Sequence, residues 1–163
     1  IKHFGLGAAP DDWHALENHL KEKGFHRDEL VAANLLRFSD KNGKRYYFDA
    51  FRNKVMYPVI DVRGNVVAFG GRVLDNSKPK YINTSDTLVY KKSNELFALN
   101  FAKNGNDRKL VLCEGYMDVI AYHQAGITNS VAPLGTALTE NQVKIISSFV
   151  LLSFTSHSFV IRF

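Results

Sequence analysis

The chain has 163 residues, 45% of them apolar, a formal charge of +5 and a single cysteine. That is enough apolar content for one or two compact domains and excludes a disordered tail. One cysteine, Cys113, excludes an internal disulfide framework and a zinc site of several thiolates.

No window approaches the roughly 18 uninterrupted apolar residues of a membrane span, and the first residues lack the layout of a signal peptide. A soluble, cytoplasmic protein with no membrane partner is expected. The chain opens on Ile1 rather than Met, so it reads as a piece of a longer protein. Its charge is uneven: residues 1–113 carry 19 Lys and Arg against 13 acids, and 114–163 carry 2 against 3. A basic half suits a polyanionic partner, or simply a solvated basic surface.

In chain order, DDWHALENHLKEKG (11–24) predicts an amphipathic helix, with Trp13, Leu16 and Leu20 on its apolar stripe and Gly24 after its end. A short helix is expected over 27–34. From 45 to 73 the pattern becomes alternating and β-branched, with Arg63-Gly64-Asn65 as a hairpin turn, which predicts a small antiparallel sheet. Residues 76–80 read as a polar loop, 80–83 as a short extended piece and 93–103 as a helix. Asn104-Gly105-Asn106-Asp107 is the strongest punctuation, and a domain boundary is expected there, dividing 1–106 from 107–163. An αβ alternation follows: strands at 109–113, 129–132 and 150–154, and helices at 116–125 and 140–148. Thr139 with Gln142 fits a capping box. The fold class is therefore α/β, an α+β first part followed by a parallel αβ sheet whose ligands sit beyond the carboxyl ends of its strands.

Two patterns carry chemistry. In VLCEGYMD (111–118), Glu114 stands at the end of a predicted strand, Gly115 permits a tight turn, and Asp118 follows one helical turn later. Two carboxylates sharing one crevice can hold Mg²⁺ with waters and phosphate oxygens; equally, two acids at a helix start complement its dipole. Upstream, Arg72, Lys78, Lys80, Lys91 and Lys92 fall within 21 residues, interleaved with Tyr81 and Tyr90. Such a segment neutralises phosphates and stacks on unpaired bases, or is an irregular solvated loop with its tyrosines in the core. Gly70 and Gly71 allow close backbone approach or form a bulge. The six histidines lack metal-ligand spacing.

CEGYMDVIAYHQAGI and VAPLGTALTENQ resemble the Toprim domain of bacterial-type DNA primases, and FRNKVMYPVIDVRGNVVAFGGRVL with KPKYINTSDTLVYKKSNELFALNFAK resembles the N-terminal subdomain of the same catalytic core. The resemblance covers about 1–149. It implies a DNA-directed RNA polymerase of the primase type, a nucleotidyltransferase that makes RNA primers from ribonucleoside triphosphates on a single-stranded DNA template. The implied setting is the primosome, at the replication fork in the nucleoid. It further implies that Glu114 and Asp118 serve as catalytic and metal-binding acids for Mg²⁺ or Mn²⁺. Arg72, Lys80, Tyr81, Asn83 and Lys91 match signatures associated with nucleotide and template. Arg52 matches less specifically and reads equally as a strand-end arginine on a carboxylate. Gly135 and Thr136, at the end of the second parallel strand, are placed for a phosphate contact or for loop geometry alone.

The chain departs from this pattern at its end. Toprim domains carry a second acidic motif, D-x-D, on the next strand, whereas Thr155-Ser156-His157 stands there and no acid follows Glu140. An abnormal end after about 149 and an inactive chain are expected, with Phe154, Phe159 and Phe163 left partly exposed. The family's zinc module and helicase-binding module have no counterpart in these residues. The alternative from another class is a non-catalytic module that binds single-stranded nucleic acid.

Overall fold

The computed structural model of the protein describes residues 2–104, 109–135 and 137–149, together with the backbone of 160–161. These residues form two compact units: 1–57 with 69–89, and 58–68 with 90–163.

The first unit contains β1 (Gly7–Ala9), α1 (Ala15–Glu22), α2 (Arg27–Ala32), β2 (Leu36–Lys41) and β3 (Lys44–Asp49). Strands β4 (Lys54–Ile60) and β5 (Val66–Val73) have their outer ends in this unit, and β6 (Tyr81–Asn83) completes it. The sheet order is β1-β4-β5-β6, with β1 antiparallel to β4 and β6 antiparallel to β5. The Arg63-Gly64-Asn65 turn is as expected: Asp61 accepts from the Arg63 and Asn65 amides at 2.8 Å each, and Gly64 has φ +94°.

Two features were not expected. The first is the β2–β3 hairpin, whose turn residues Asn42 (φ 51°) and Gly43 (φ 73°) both adopt the left-handed conformation of a two-residue hairpin turn. The second is the late start of α1, at Ala15 rather than 11. Asp12 accepts from the His14 amide at 2.7 Å, holding 12–14 in a turn. The free amides of the first helical turn are capped from afar: Asp49, at the end of β3, accepts from Leu16 N–H at 2.7 Å and Glu17 N–H at 3.1 Å. Trp13 consequently lies outside the helix and is 52% exposed.

In the second unit, a 3₁₀ turn (Lys92–Asn94) leads to β7 (Leu96–Phe97), α3 (Leu99–Ala102), β8 (Leu110–Leu112), α4 (Tyr116–Gln124), β9 (Ser130–Pro133) and α5 (Glu140–Phe149), with β10 (Val160–Ile161) last. β8 and β9 are parallel, as the αβ alternation predicts, with Val111 opposite Ser130 and Leu112 opposite Val131. The flanking β7 and β10 run antiparallel to β9 and β8. The helix predicted over 93–103 is broken, because Leu96 and Phe97 pair with Pro133 and Ala132 and the buried Ala98 turns the chain at φ 69° before α3. Leu96, Leu99, Ala102, Leu110, Val131 and Ile146 form the core, joined by Val62 and Leu112.

The capping box at α5 is present in both directions. Thr139 N–H donates to Gln142 Oε1 at 2.9 Å, and Gln142 N–H donates to Thr139 Oγ1 at 3.2 Å. Residues 105–108, the expected strand at 150–154, Thr155-Ser156-His157, Phe154, Phe159 and Phe163 lie outside the described residues. Among the described residues no helix is long and apolar enough to cross a membrane.

Candidate functional site

In the second unit the site is the carboxyl edge of the parallel pair. β8 ends at Leu112, Cys113 N–H donates to Val131 O at 2.8 Å, and Glu114 is the next residue, exposed beyond the last strand bond. Asp118 lies in the first turn of α4, also exposed. Its charge reaches the strand end. Burial pushes the Cys113 thiol up to about 11, and the nearby Asp118 carboxylate adds to that shift. Cys113 is therefore the inert strand filler expected of it. Neither Glu114 nor Asp118 has a hydrogen bond or ion pair with another described residue. Two carboxylates without partners among the described residues fit a hard cation that takes the rest of its shell from water and phosphate oxygens. Among the described residues no group of three or more His, Cys, Asp or Glu gathers around a metal position. Gly115 does not serve the tight turn expected of it: its φ of −164° is extended, and a Cβ there would meet nothing within 4 Å.

Gly135 follows the end of β9 on the same edge. A Cβ at Gly135 would lie 3.4 Å from Lys92 Cε and 3.8 Å from Lys92 Nζ. The Lys92 ammonium therefore stands beside this edge, held there by its backbone, since the buried Gln142 amide donates to the Lys92 carbonyl at 3.2 Å and to that of Glu95 at 2.8 Å. Lys91 is exposed at the start of the same 3₁₀ turn. Thr136 lies outside the described residues.

In the first unit the two basic signatures prove to be hydrogen-bonded neighbours. Gly70 pairs with Asn83, Gly71 with Ile82 and Arg72 with Tyr81 across β5 and β6. Gly71 is there for close packing, since a Cβ would lie 2.8 Å from Phe51 Cδ1 and 2.9 Å from Lys54 Cδ. The Arg72 guanidinium sits 5.6 Å from the Tyr81 ring centroid and bonds the buried Tyr57 phenol. That phenol is pushed up by burial and by Tyr81, with Arg72 opposing the shift. Arg72 Nε is buried without a hydrogen-bond partner among the described residues. Lys80 is exposed beside Tyr81, and its carbonyl accepts from Val73 N–H at 3.1 Å. Asn83 is half-buried. Arg52 is apart from these: it pairs with Asp11 and stacks 4.1 Å over the Trp13 ring.

The pairing of the G-G-R strand with the K-Y-x-N strand, and an acid pair at a parallel strand end, coincide with two family models in the same order. The model for the N-terminal domain of the DNA primase catalytic core matches residues 1–103, and a Toprim model matches 108–152. The chain belongs to the DNA primase catalytic-core family. It is 48% identical over 150 residues to the DNA primase of Clostridium acetobutylicum, covering 91% of this chain and 24% of that protein. It is 47% identical over 148 residues to that of Deinococcus radiodurans, covering 90% and 26%. The chain thus spans about a quarter of the length of the curated relatives it matches. Among solved structures, it is similar to the RNA polymerase domain of the Mycobacterium tuberculosis primase in complex with a double-stranded DNA oligomer bearing a 6-nucleotide overhang, with a TM-score of 0.82 and 38% identity over 92% of this chain and 47% of that one. It is similar also to a primase catalytic domain bound to single-stranded DNA, with a TM-score of 0.81, 37% identity, and 92% and 46% coverage. The boundary expected at 106/107 falls between the two family matches, whereas the compact units divide at 57/58, 68/69 and 89/90 because the β4–β5 hairpin tip carries Val62 into the second unit's core.

Two residues stand where the sequence pattern did not put them. Lys92 was grouped with the basic segment but not placed at the acidic edge; its signal, a cation beside the first turn before β7, has meaning only once Gly135 is packed against it. Trp13 was assigned to a helix stripe, and nothing in the pattern said that Asp49 would start the helix two residues later.

Proposed function

We propose that this chain supplies the acidic edge and the template-binding strands of a primase core that joins ribonucleoside triphosphates into RNA primers on single-stranded DNA. The single observation that carries this reading is the pair of exposed, unpartnered carboxylates, Glu114 and Asp118, at the carboxyl end of β8 in a chain of this family. Glu114 and Asp118 would hold Mg²⁺ or Mn²⁺, which when bound neutralises phosphate charge and favours deprotonation of the attacking 3′-hydroxyl.

The rest is the work of the chain's own residues. Lys92 and the backbone at Gly135 present positive charge and a donor to phosphate oxygens at the same edge, with Lys91 alongside. Arg72 offers its guanidinium charge beside Tyr81, and Lys80 and Asn83 add a cation and an amide. Tyr81 offers a face for an unpaired base. Arg52, half neutralised by Asp11, acts with Trp13 as a stacking platform for template rather than as a free cation. Single-stranded DNA is the proposed partner, consistent with the DNA held by the similar structures. The proposed setting is cytoplasmic, at the replication fork.

Because no acid follows Glu140, the 163-residue chain alone is proposed not to make primers. The experiment that tests the function is therefore an exchange: residues 1–149 replace the matched segment of the Clostridium acetobutylicum primase. Template-dependent incorporation of ribonucleotides is the expected result; a folded exchange protein that is inert with template, nucleotides and Mg²⁺ would refute the reading.

A further inference from the structure

In the first unit, α1 leaves an apolar cavity of about 460 Å³ beneath it. Leu16 and Leu20 of α1, Met56 of β4 and Phe69 of β5 line it, and each is only half-buried. Four large apolar side chains remain partly uncovered around a space big enough for a small molecule. The wall also contains Asp49, 4% exposed. Its two oxygens each accept one α1 backbone amide, at 2.7 and 3.1 Å, which leaves each oxygen further accepting capacity.

This carboxylate has no ion pair with a Lys or Arg among the described residues; Lys21 and Arg27 pair with Glu17. The charged or titratable groups closest to it are Glu17 and His14, and the His14 ring nitrogen lies 3.3 Å from Glu17 rather than on Asp49. His19 also lines the cavity. Burial pushes the Asp49 carboxyl up, with Glu17 adding to the shift, and the two helix amides and the His14 ring offset this only in part. A buried carboxylate with helix-end amides but no Lys or Arg on it among the described residues, in the wall of an apolar cavity, is complementary to a positive charge on a hydrocarbon body.

We propose that this cavity binds a compact apolar amine, with its hydrocarbon body among Leu16, Leu20, Met56 and Phe69 and its ammonium on Asp49. The site is distinct from the acidic edge of β8, which belongs to the other compact unit.

The test titrates the 163-residue chain at pH 8 with 2-phenylethylamine and with its uncharged isostere 2-phenylethanol. The readouts are backbone amide chemical shifts and the fluorescence of Trp13, the chain's single tryptophan, whose carbonyl accepts the Asp49 amide at 2.8 Å. The amine should saturate at least tenfold more tightly than the alcohol, with shifts confined to the lining residues. Asp49→Asn should reduce that ratio to about one, and Ala15→Phe, which fills the cavity from α1, should abolish binding of both. Asp49 also caps α1, so should Asp49→Asn fail to fold, the amine-to-alcohol ratio on the unaltered chain together with Ala15→Phe still decides. The proposal is overturned if neither compound saturates, if the alcohol binds as tightly as the amine, if the amine keeps its tenfold advantage over the alcohol in Asp49→Asn, or if Ala15→Phe leaves affinity unchanged.

Discussion

Glu17 is the residue whose removal best tests how the first unit is held together. Only 3% of its side chain is exposed, yet Oε1 accepts from Lys21 at 2.7 Å and from Arg27 Nε and Nη2 at 2.7 and 2.5 Å. Oε2 faces the His14 ring at 3.3 Å. The carboxylate thereby ties α1 to the start of α2. Glu17→Gln keeps the shape and deletes the charge. Hydrogen bonds to charged groups contribute about 1.5–3 kcal/mol each, but Lys21 and Arg27 each keep 43% of their side-chain surface in water and rehydrate when their partner is lost. The net loss is therefore well below that of stranding a fully buried charge and is set at about 2 kcal/mol, or about 4–8 °C in Tm for a chain of this size. Burial alone would raise the Glu17 pKa, and the bonds and charges of Lys21 and Arg27 outweigh it and hold the group below the ordinary carboxylate value. A lowered folded pKa means that the contribution is fully present above the unfolded pKa of about 4.3 and disappears as pH falls through the lower folded value. Guanidinium unfolding followed by Trp13 fluorescence, at pH 7 and at pH 3, reads both effects. A Glu17→Gln chain within about 0.5 kcal/mol of the parent at pH 7, the ordinary range for an inconsequential surface change, would refute the reasoning, as would an equal difference at pH 3.

Three further outcomes are expected. Gly71→Ala should destabilise by about 1–3 kcal/mol in a guanidinium melt, because the new methyl meets the buried Phe51 ring rather than open space. Gln142→Leu should cost about 1–3 kcal/mol, since it strands the Lys92 and Glu95 carbonyls and the Thr139 amide, and hydrogen exchange at Asn94 and Val143 should accelerate with it. Labelled single-stranded oligonucleotide should bind weakly, with affinity falling steeply as salt rises. Lys80→Glu and Lys91→Glu should each lower the log–log salt slope by about 0.7 if each lysine meets one phosphate, and an unchanged slope would remove them from the interface.

The sequence carried what depends on local pattern. The β4–β5 hairpin followed from Arg63-Gly64-Asn65, the α5 cap from Thr139 and Gln142, and the parallel β8–β9 pair from strands separated by one helix. Glu114 just past a strand end and Asp118 in the first turn of the next helix also followed from local pattern. What escaped depends on partners distant along the chain. Leu96 and Phe97 have helical neighbours on both sides and become a strand only because β9 offers an open edge. Asp49 moves the start of α1 from 33 residues away. The β2–β3 hairpin was legible in principle, through Asn42-Gly43, but Asp40 stands where the alternation of Leu36 and Phe38 calls for a third apolar residue. The reason for Gly71 required knowing that Phe51 lies against it, whereas Gly115, which looked like a turn glycine, occupies an extended conformation open to any residue.

The central claim is that Glu114 and Asp118 form the acidic centre of nucleotidyl transfer. The measurement that tests it most directly is primer synthesis by the exchange protein carrying residues 1–149, compared with the same protein bearing Glu114→Gln or Asp118→Asn. Both variants keep size and fold and remove one negative charge from the edge of β8. Each should fall by at least about 10²-fold in ribonucleotide incorporation, the scale of losing one electrostatic contact to the transition state, while binding of single-stranded DNA through Arg72, Lys80 and Tyr81 stays unchanged. Primer synthesis at the parent rate in either variant would contradict the claim.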